Sequence, residues 1–230
     1  MQPTNRAQGP SELPRLELPE PEVSGFRNLA NARIPLATPV IVLSGENGQG
    51  KTSVLEAIYC VATTKSFRTA KLREAVSHGQ TSFRIKGRFQ ISGTSPIPYE
   101  QQITLSGKSI TARIDGNKPK ALAEYARRSP VVIFHPDELQ LSAGPAALRR
   151  RLLDRIALHQ SPGALEALAR YRAAIRGRSE LLRRRAQSAD LEPYEDVAAR
   201  TGAQITVSRR HATETLVPEV AHAFAAVADP

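Results

Sequence analysis

Residues 37–44 read Ala-Thr-Pro-Val-Ile-Val-Leu-Ser, a short apolar and β-branched run that leads into a glycine-rich loop, as a buried parallel strand does. Directly after the loop, Val54, Leu55, Ile58 and the Val61/Ala62 pair recur at helical spacing, which predicts a helix over 53–63. Between 83 and 114 the period falls to two. The stretches 83–87, 101–105 and 110–114 alternate apolar and polar positions between Gly, Ser and Pro, and predict antiparallel strands with Asp115-Gly116 as a turn. Residues 131–134, Val-Val-Ile-Phe, form a second fully apolar strand candidate, which Pro136 stops. From 146 to about 186 the pattern is helical with a break at Pro162-Gly163, and Leu165, Leu168, Tyr171, Ile175 and Leu182 share one face of the second piece. The stretch from Glu195 to the end reads as another helix, containing Pro218. Pro3, Pro10, Pro14, Pro19 and Pro21 make residues 1–22 a disordered or extended lead-in, so folding is expected from about Val23.

A length of 230 residues suits one large domain or one and a half. The single cysteine, Cys60, lies in an apolar stretch and cannot build a disulfide framework or a metal site, so a reducing, cytoplasmic setting is expected. The apolar runs are too short to cross a bilayer, and the N-terminus has no signal-peptide apolar region. His78, His135, His159, His211 and His222 show neither metal-ligand spacing nor a nucleophile pairing.

Charge adds a partner. The net charge is +10, and two segments hold the excess. Residues 65–88 carry seven basic side chains against Glu74 alone, and residues 149–185 carry eleven arginines against three carboxylates. Clustered positive charge attracts polyanions and releases condensed counterions from nucleic acid, which makes DNA or RNA the expected partner. The competing reading is a general preference for Arg, 25 against 7 Lys, on solvated helix faces.

The strongest motif is the loop between the predicted strand and helix. Gly45, Glu46, Asn47, Gly48, Gln49, Gly50, Lys51 and Thr52 satisfy G-x-x-x-x-G-K-[ST], in the strand–loop–helix context that the motif requires. Glycines let backbone N–H groups curl around phosphate oxygens, and the helix N-terminus adds its positive dipole. Lys51 is the candidate for the β- and γ-phosphates of ATP, and the Thr52 hydroxyl for Mg²⁺.

Around this loop the chain resembles the RecF family of bacterial replication and repair ATPases. The resemblance is carried by Gly25-Phe-Arg-Asn-Leu29, the loop with Ser53-Val-Leu-Glu-Ala-Ile-Tyr59, and Lys65-Ser-Phe-Arg-Thr69. It continues through Ile114-Asp-Gly116, Val132-Ile-Phe-His-Pro-Asp-Glu-Leu139, Gly144-Pro145, Arg149-Arg-Arg-Leu-Leu-Asp154 and residues 171–182. It implies an α/β fold: a P-loop ABC-type ATPase head, related to the heads of structural-maintenance-of-chromosomes proteins, with a small antiparallel β subdomain and a helical arm. On that reading 23–145 is the N-terminal part of the head, 83–115 the β subdomain and 146–230 the arm, and the head is cut short before its C-terminal part. The family further implies ATP and Mg²⁺ as cofactors, an ATP-dependent homodimer, DNA at single-strand gaps, and RecO- and RecR-type mediators. Arg27 and Asn28 are implied near the phosphates or base. Lys65 stands where Arg is usual, and Arg176-Gly-Arg-Ser179 departs from the family pattern.

An ABC-type head also needs a signature loop followed by an apolar strand ending in acidic residues. Leu141-Ser-Ala-Gly-Pro145 imitates the first and residues 131–138 the second, but they occur in the reverse order, so both read as decoys. Asp137 or Glu138 is instead assigned to the loop that faces the metal, with a helix N-cap as the alternative for Asp137. Lys65, Arg68, Lys71, Arg73, Arg149, Arg150 and Arg151 are the candidates for DNA contact. Two other functions compete with the repair ATPase. One is a catalytically incomplete nucleotide-binding fragment. The other is an unrelated P-loop kinase-like enzyme, which predicts 131–134 as a strand beside the phosphate-loop strand with Asp137 aimed at Thr52.

Overall fold

The computed structural model describes residues 16–228, apart from 37, 39, 92–96, 162, 186 and the side chain of Asp137. The described chain divides into two compact units, one ending at Ile133 and one beginning at Phe134.

The first unit is an antiparallel sheet with a helix on one face. Its strands are β1 (Leu16–Glu17), β2 (Glu22–Phe26), β3 (Leu29–Arg33), β4 (Ser82–Ile91), β5 (Tyr99–Ser106) and β6 (Ser109–Ile114). The order is β3-β2-β4-β5-β6, with β1 paired to the far end of β4. Period-two alternation sets the faces: Phe83, Ile85 and Phe89 of β4 point inward, and Arg84, Lys86 and Arg88 point outward. Among the described residues pairing starts at Leu16, upstream of the expected start at Val23, and residues 1–15 of the expected lead-in lie outside the described set. Past β3 the ladder continues without strand status, as Ile34 N–H donates to the Pro21 carbonyl at 3.1 Å and Leu36 N–H to that of Pro19 at 2.6 Å. Proline lacks a donor but keeps its acceptor, which is all this sheet edge asks of it.

Helix α1 (Lys51–Thr63) packs on the inner face. Ala57, Cys60 and Val61 meet Val23, Phe26, Ile85 and Ile103, and Phe26 stands edge-on to Phe83 with centroids 5.1 Å apart. The predicted helix is present, but its buried residues are Ser53, Glu56, Ala57, Tyr59, Cys60, Val61 and Ala62, while Leu55 is exposed and Val54 and Ile58 are half-buried. Apolar side chains encircle this helix, and a single sheet covers only one side of it. Helix α2 (Leu122–Arg128) closes the unit: the Tyr125 hydroxyl donates to the Val61 carbonyl at 2.7 Å, and Gln101 Nε2 donates to the Tyr125 carbonyl at 2.7 Å.

Two strand expectations are corrected. Of 37–44, residues 40–44 carry no strand, and Val40 and Val42 are exposed; residues 131–134 carry none either, and Val132 and Phe134 are exposed. A parallel strand is held by ladder hydrogen bonds to its neighbours, and among the described residues neither segment has a ladder partner.

The second unit is helical: α3 (Gln140–Ala143), α4 (Ala146–Gln160), α5 (Ala164–Arg183) and α6 (Ser188–Ala228). Helices α5 and α6 run antiparallel, with Gly177 against Tyr194 and Tyr171 against Gly202. Helix α4 is tied to α6 by Asp154 and Arg209, whose two hydrogen bonds are 2.7 and 3.0 Å long. Pro193 and Pro218 both lie inside α6.

Candidate nucleotide site

The phosphate loop forms an exposed turn that ends on the first residue of α1. Gly48 and Gly50 have φ of +84° and +102°, a region that costs an L side chain strain and costs glycine none. Gly50 also lies close to a neighbour: a Cβ there would sit 3.1 Å from the Asn28 side-chain amide nitrogen. That amide donates to the Gly48 carbonyl at 2.9 Å, so the turn between β2 and β3 braces the loop. Lys51 folds back over the loop, its ammonium donating to the carbonyls of Gly45 at 2.6 Å and Glu46 at 2.7 Å. Gln49 Oε1 accepts from the Glu46 N–H at 3.2 Å. Thr52 is exposed in the first turn of α1, beside the Lys51 that the motif assigns to phosphate.

This arrangement suits a polyphosphate. Glycines at positive φ, the N-terminal dipole of a 13-residue helix and one ammonium lie together at this loop, the elements from which a polyphosphate site is built. Mg²⁺ fits as a guest of the nucleotide, because it keeps several waters and needs only one or two protein oxygens beside the phosphates. Thr52 offers one such oxygen. Among the described residues no group of three or more His, Cys, Asp or Glu side chains is placed to hold a metal on its own.

Arg27 and Asn28 are neighbours in sequence but engage different partners. Asn28 touches the loop; Arg27, at φ +54°, sends its guanidinium to Glu56 on α1. Arg27 Nε donates to Glu56 Oε2 at 3.0 Å and Nη2 to Oε1 at 2.7 Å, while Nη1 donates to the Glu74 carbonyl at 2.6 Å. Ser66 Oγ donates to Oε1 at 2.6 Å, and Arg68 Nη1 to Oε2 at 3.2 Å. Glu56 is fully buried. Burial pushes its pKa up, but hydrogen bonds from Arg27 and Ser66 and the two guanidinium charges outweigh this and hold it below the ordinary glutamate value. Burial together with the Glu56 charge pushes the Cys60 thiol up to about 12. The sequence reading missed Glu56. Its signal was a lone carboxylate in an otherwise apolar helix, but the pattern did not say that its side is the buried one, which an unpaired charge does not occupy.

The remaining candidates lie in three places. Lys65, Arg68, Lys71 and Arg73 follow α1 on the segment that Glu56, Ser66 and Thr69 hold in shape. Arg149, Arg150 and Arg151 are exposed on α4 in the second unit, where Arg149 caps the end of α3 by donating to the carbonyls of Leu141 and Gly144. Asp137 and Glu138 lie in a 3₁₀ turn (Pro136–Leu139) in that unit; Glu138 pairs with His135 at 3.4 Å, and the Asp137 side chain is outside the described set.

A family model described as an AAA domain matches residues 22–129. The DNA replication and repair protein RecF of Myxococcus xanthus (strain DK1622) is 34% identical over 207 residues, covering 89% of this chain and 54% of that protein. The RecF of Anaeromyxobacter sp. (strain Fw109-5) is 37% identical over 209 residues, covering 90% of this chain and 55% of its own length. The chain is a relative of RecF. A solved structure of the recombination mediator protein RecF with ATP, in the RecFOR pathway, matches with a TM-score of 0.79 at 26% identity over 89% of this chain and 56% of that one. The α/β head and helical arm expected from the RecF resemblance are therefore the architecture observed. The chain spans about half the length of the RecF proteins it matches. Among the described residues no helix is long and apolar enough to cross a membrane.

Proposed function

We propose that this chain acts as a RecF-type ATP- and DNA-binding protein of replication and recombinational repair, in which ATP with Mg²⁺ governs dimerisation and engagement of DNA at single-strand gaps. RecO- and RecR-type mediators are its partners on this reading. The observation that carries it is the phosphate loop, with Lys51 at the mouth and Asn28 bracing the turn from a neighbouring hairpin. Lys65, Arg68, Lys71 and Arg73 leave the far end of α1 as cations for DNA phosphates, and Arg149, Arg150 and Arg151 add an exposed cluster on the arm.

The test compares the wild type with Lys51→Ala. A fluorescent ATP analogue with Mg²⁺ should bind the wild type, and the substitution should weaken it at least about tenfold, the loss expected for one charge-assisted contact to phosphate. Filter binding to gapped duplex should tighten with ATP for the wild type only. Equal, ATP-independent DNA binding by both proteins overturns the reading.

One observation favours a second reading, nucleotide binding without efficient turnover. Val42 and Val132 are 84% and 88% exposed in the two segments whose sequence reads as buried strand. Phosphoryl transfer to water depends on positioned metal and a water-orienting group, so a cradle lacking them holds ATP without hydrolysing it. Phosphate release at saturating ATP separates the two: steady turnover that Lys51→Ala abolishes excludes the second.

A further inference from the structure

The turn that braces the phosphate loop and the basic segment after α1 meet at one carboxylate. Glu56 accepts four hydrogen bonds, about the capacity of a carboxylate, and they come from two places: Arg27 on the turn after β2, and Ser66 and Arg68 on the segment after α1. The two sides are held differently. Arg27 engages both oxygens, has its third nitrogen on the Glu74 carbonyl and is 19% exposed. Arg68 reaches a single oxygen at 3.2 Å and is 44% exposed.

One negative charge therefore faces two guanidinium groups. Arg27 alone neutralises it, and Arg68 is the surplus, more loosely held cation. Ser66 carries the same carboxylate into the backbone, because its Oγ also accepts from the N–H groups of Arg68 at 2.9 Å and Thr69 at 3.0 Å. On the other side Asn28, next to Arg27, holds the Gly48 carbonyl inside the phosphate loop. A continuous set of contacts thus runs from Gly48 through Asn28, Arg27, Glu56 and Ser66 to the segment bearing Lys65, Arg68 and Lys71.

We propose that Glu56 is a positioning residue that transmits the filling of the phosphate loop to residues 65–71, with Arg68 as the arm that exchanges the carboxylate for a DNA phosphate. The inference rests on the ATP- and DNA-binding reading above. When nucleotide draws Lys51 off the loop carbonyls, the turn at Asn28 shifts with Gly48, Arg27 follows on Glu56, and Arg68 is the contact that yields. A contiguous set of contacts is not itself coupling, so the measured quantity is the factor by which ATP changes DNA affinity.

The experiment measures binding of gapped duplex DNA to the full chain with and without ATP, for the wild type, Glu56→Gln and Ser66→Ala. The wild-type ratio should be at least about fivefold, the lower end of ordinary coupling between two sites. It should fall below about twofold in Glu56→Gln, whatever the absolute affinities, because the amide no longer holds two cations. Ser66→Ala keeps the Arg27–Glu56 pair, and if Glu56→Gln fails to fold by circular dichroism the same criterion is applied to it. A purely structural Glu56 weakens ATP and DNA binding together and leaves the ratio intact, and a ratio above half the wild-type value overturns the inference alone. A wild type that binds DNA equally with and without ATP overturns the ATP-governed reading and the inference with it.

Discussion

Glu56 keeps its charge where a lone carboxylate would take up a proton, and its partners explain why. In the folded chain its pKa lies below the unfolded value of 4.5, so the group contributes stability that is complete above that value and is lost as pH falls through the lower, folded one. Denaturant midpoints measured between about pH 7 and pH 3 should drop on the acid side, and Glu56→Gln should flatten that limb while costing about 3 kcal/mol at neutral pH, as removing one member of a buried ion pair does. A wild-type acid limb that the substitution leaves unchanged would assign the acid sensitivity to other carboxylates. Arg27 shows what a motif leaves open. The RecF resemblance implied Arg27 near the phosphates, but the direction of its guanidinium depends on a left-handed φ of 54° and on Glu56, 29 positions further on, neither of which leaves a local pattern.

At the scale of elements, the period of the pattern decided what could be read. Strands β4 and β5 alternate strictly, one face buried and one solvated, β6 does so only over its second half, and the positions of all three were legible to within a few residues. The fully apolar runs at 40–43 and 131–134 look the same whether they become buried strands or exposed segments, because only ladder neighbours distant in sequence separate the two outcomes. Helix α1 was legible as a helix, but with apolar residues on two sides the pattern could not say which side meets the sheet. Strand β2 carries a more specific demand. Gly25 has φ +68°, and a Cβ there would stand 2.6 Å from the Ser82 carbonyl oxygen, which the β4 backbone cannot withdraw. Gly25→Ala should therefore destabilise the first unit by at least about 2 kcal/mol, combining backbone strain with the clash. Thermal unfolding would show it, and a melting temperature equal to the wild type's would mean that β2 does not hold this register.

Across the whole molecule, the charge excess follows the fold: one cluster continues from the end of α1 onto the outer face of β4, and the other lies along α4 and α5. The exposed apolar segments are the counterweight, since contiguous apolar surface promotes association in water. Val42→Lys with Val132→Lys should lower binding of a hydrophobic dye and raise solubility while leaving the melting temperature within about 2 °C of wild type, as surface substitutions do. A fall of 10 °C or so would place both side chains inside a packed layer. The sheet also orders events in time. Ser24 pairs with Arg84, so the phosphate loop and all of α1 lie inside a chain segment that is closed only when β2 finds β4. In the helical unit α5 pairs with its sequence neighbour α6, whereas α4 reaches past α5 to α6 through Asp154 and Arg209. Closing a long loop is paid in entropy before any contact repays it, and local helical pairing needs no such advance. On the ribosome, then, the eight residues of the phosphate loop emerge early and remain without their sheet until some thirty more have followed.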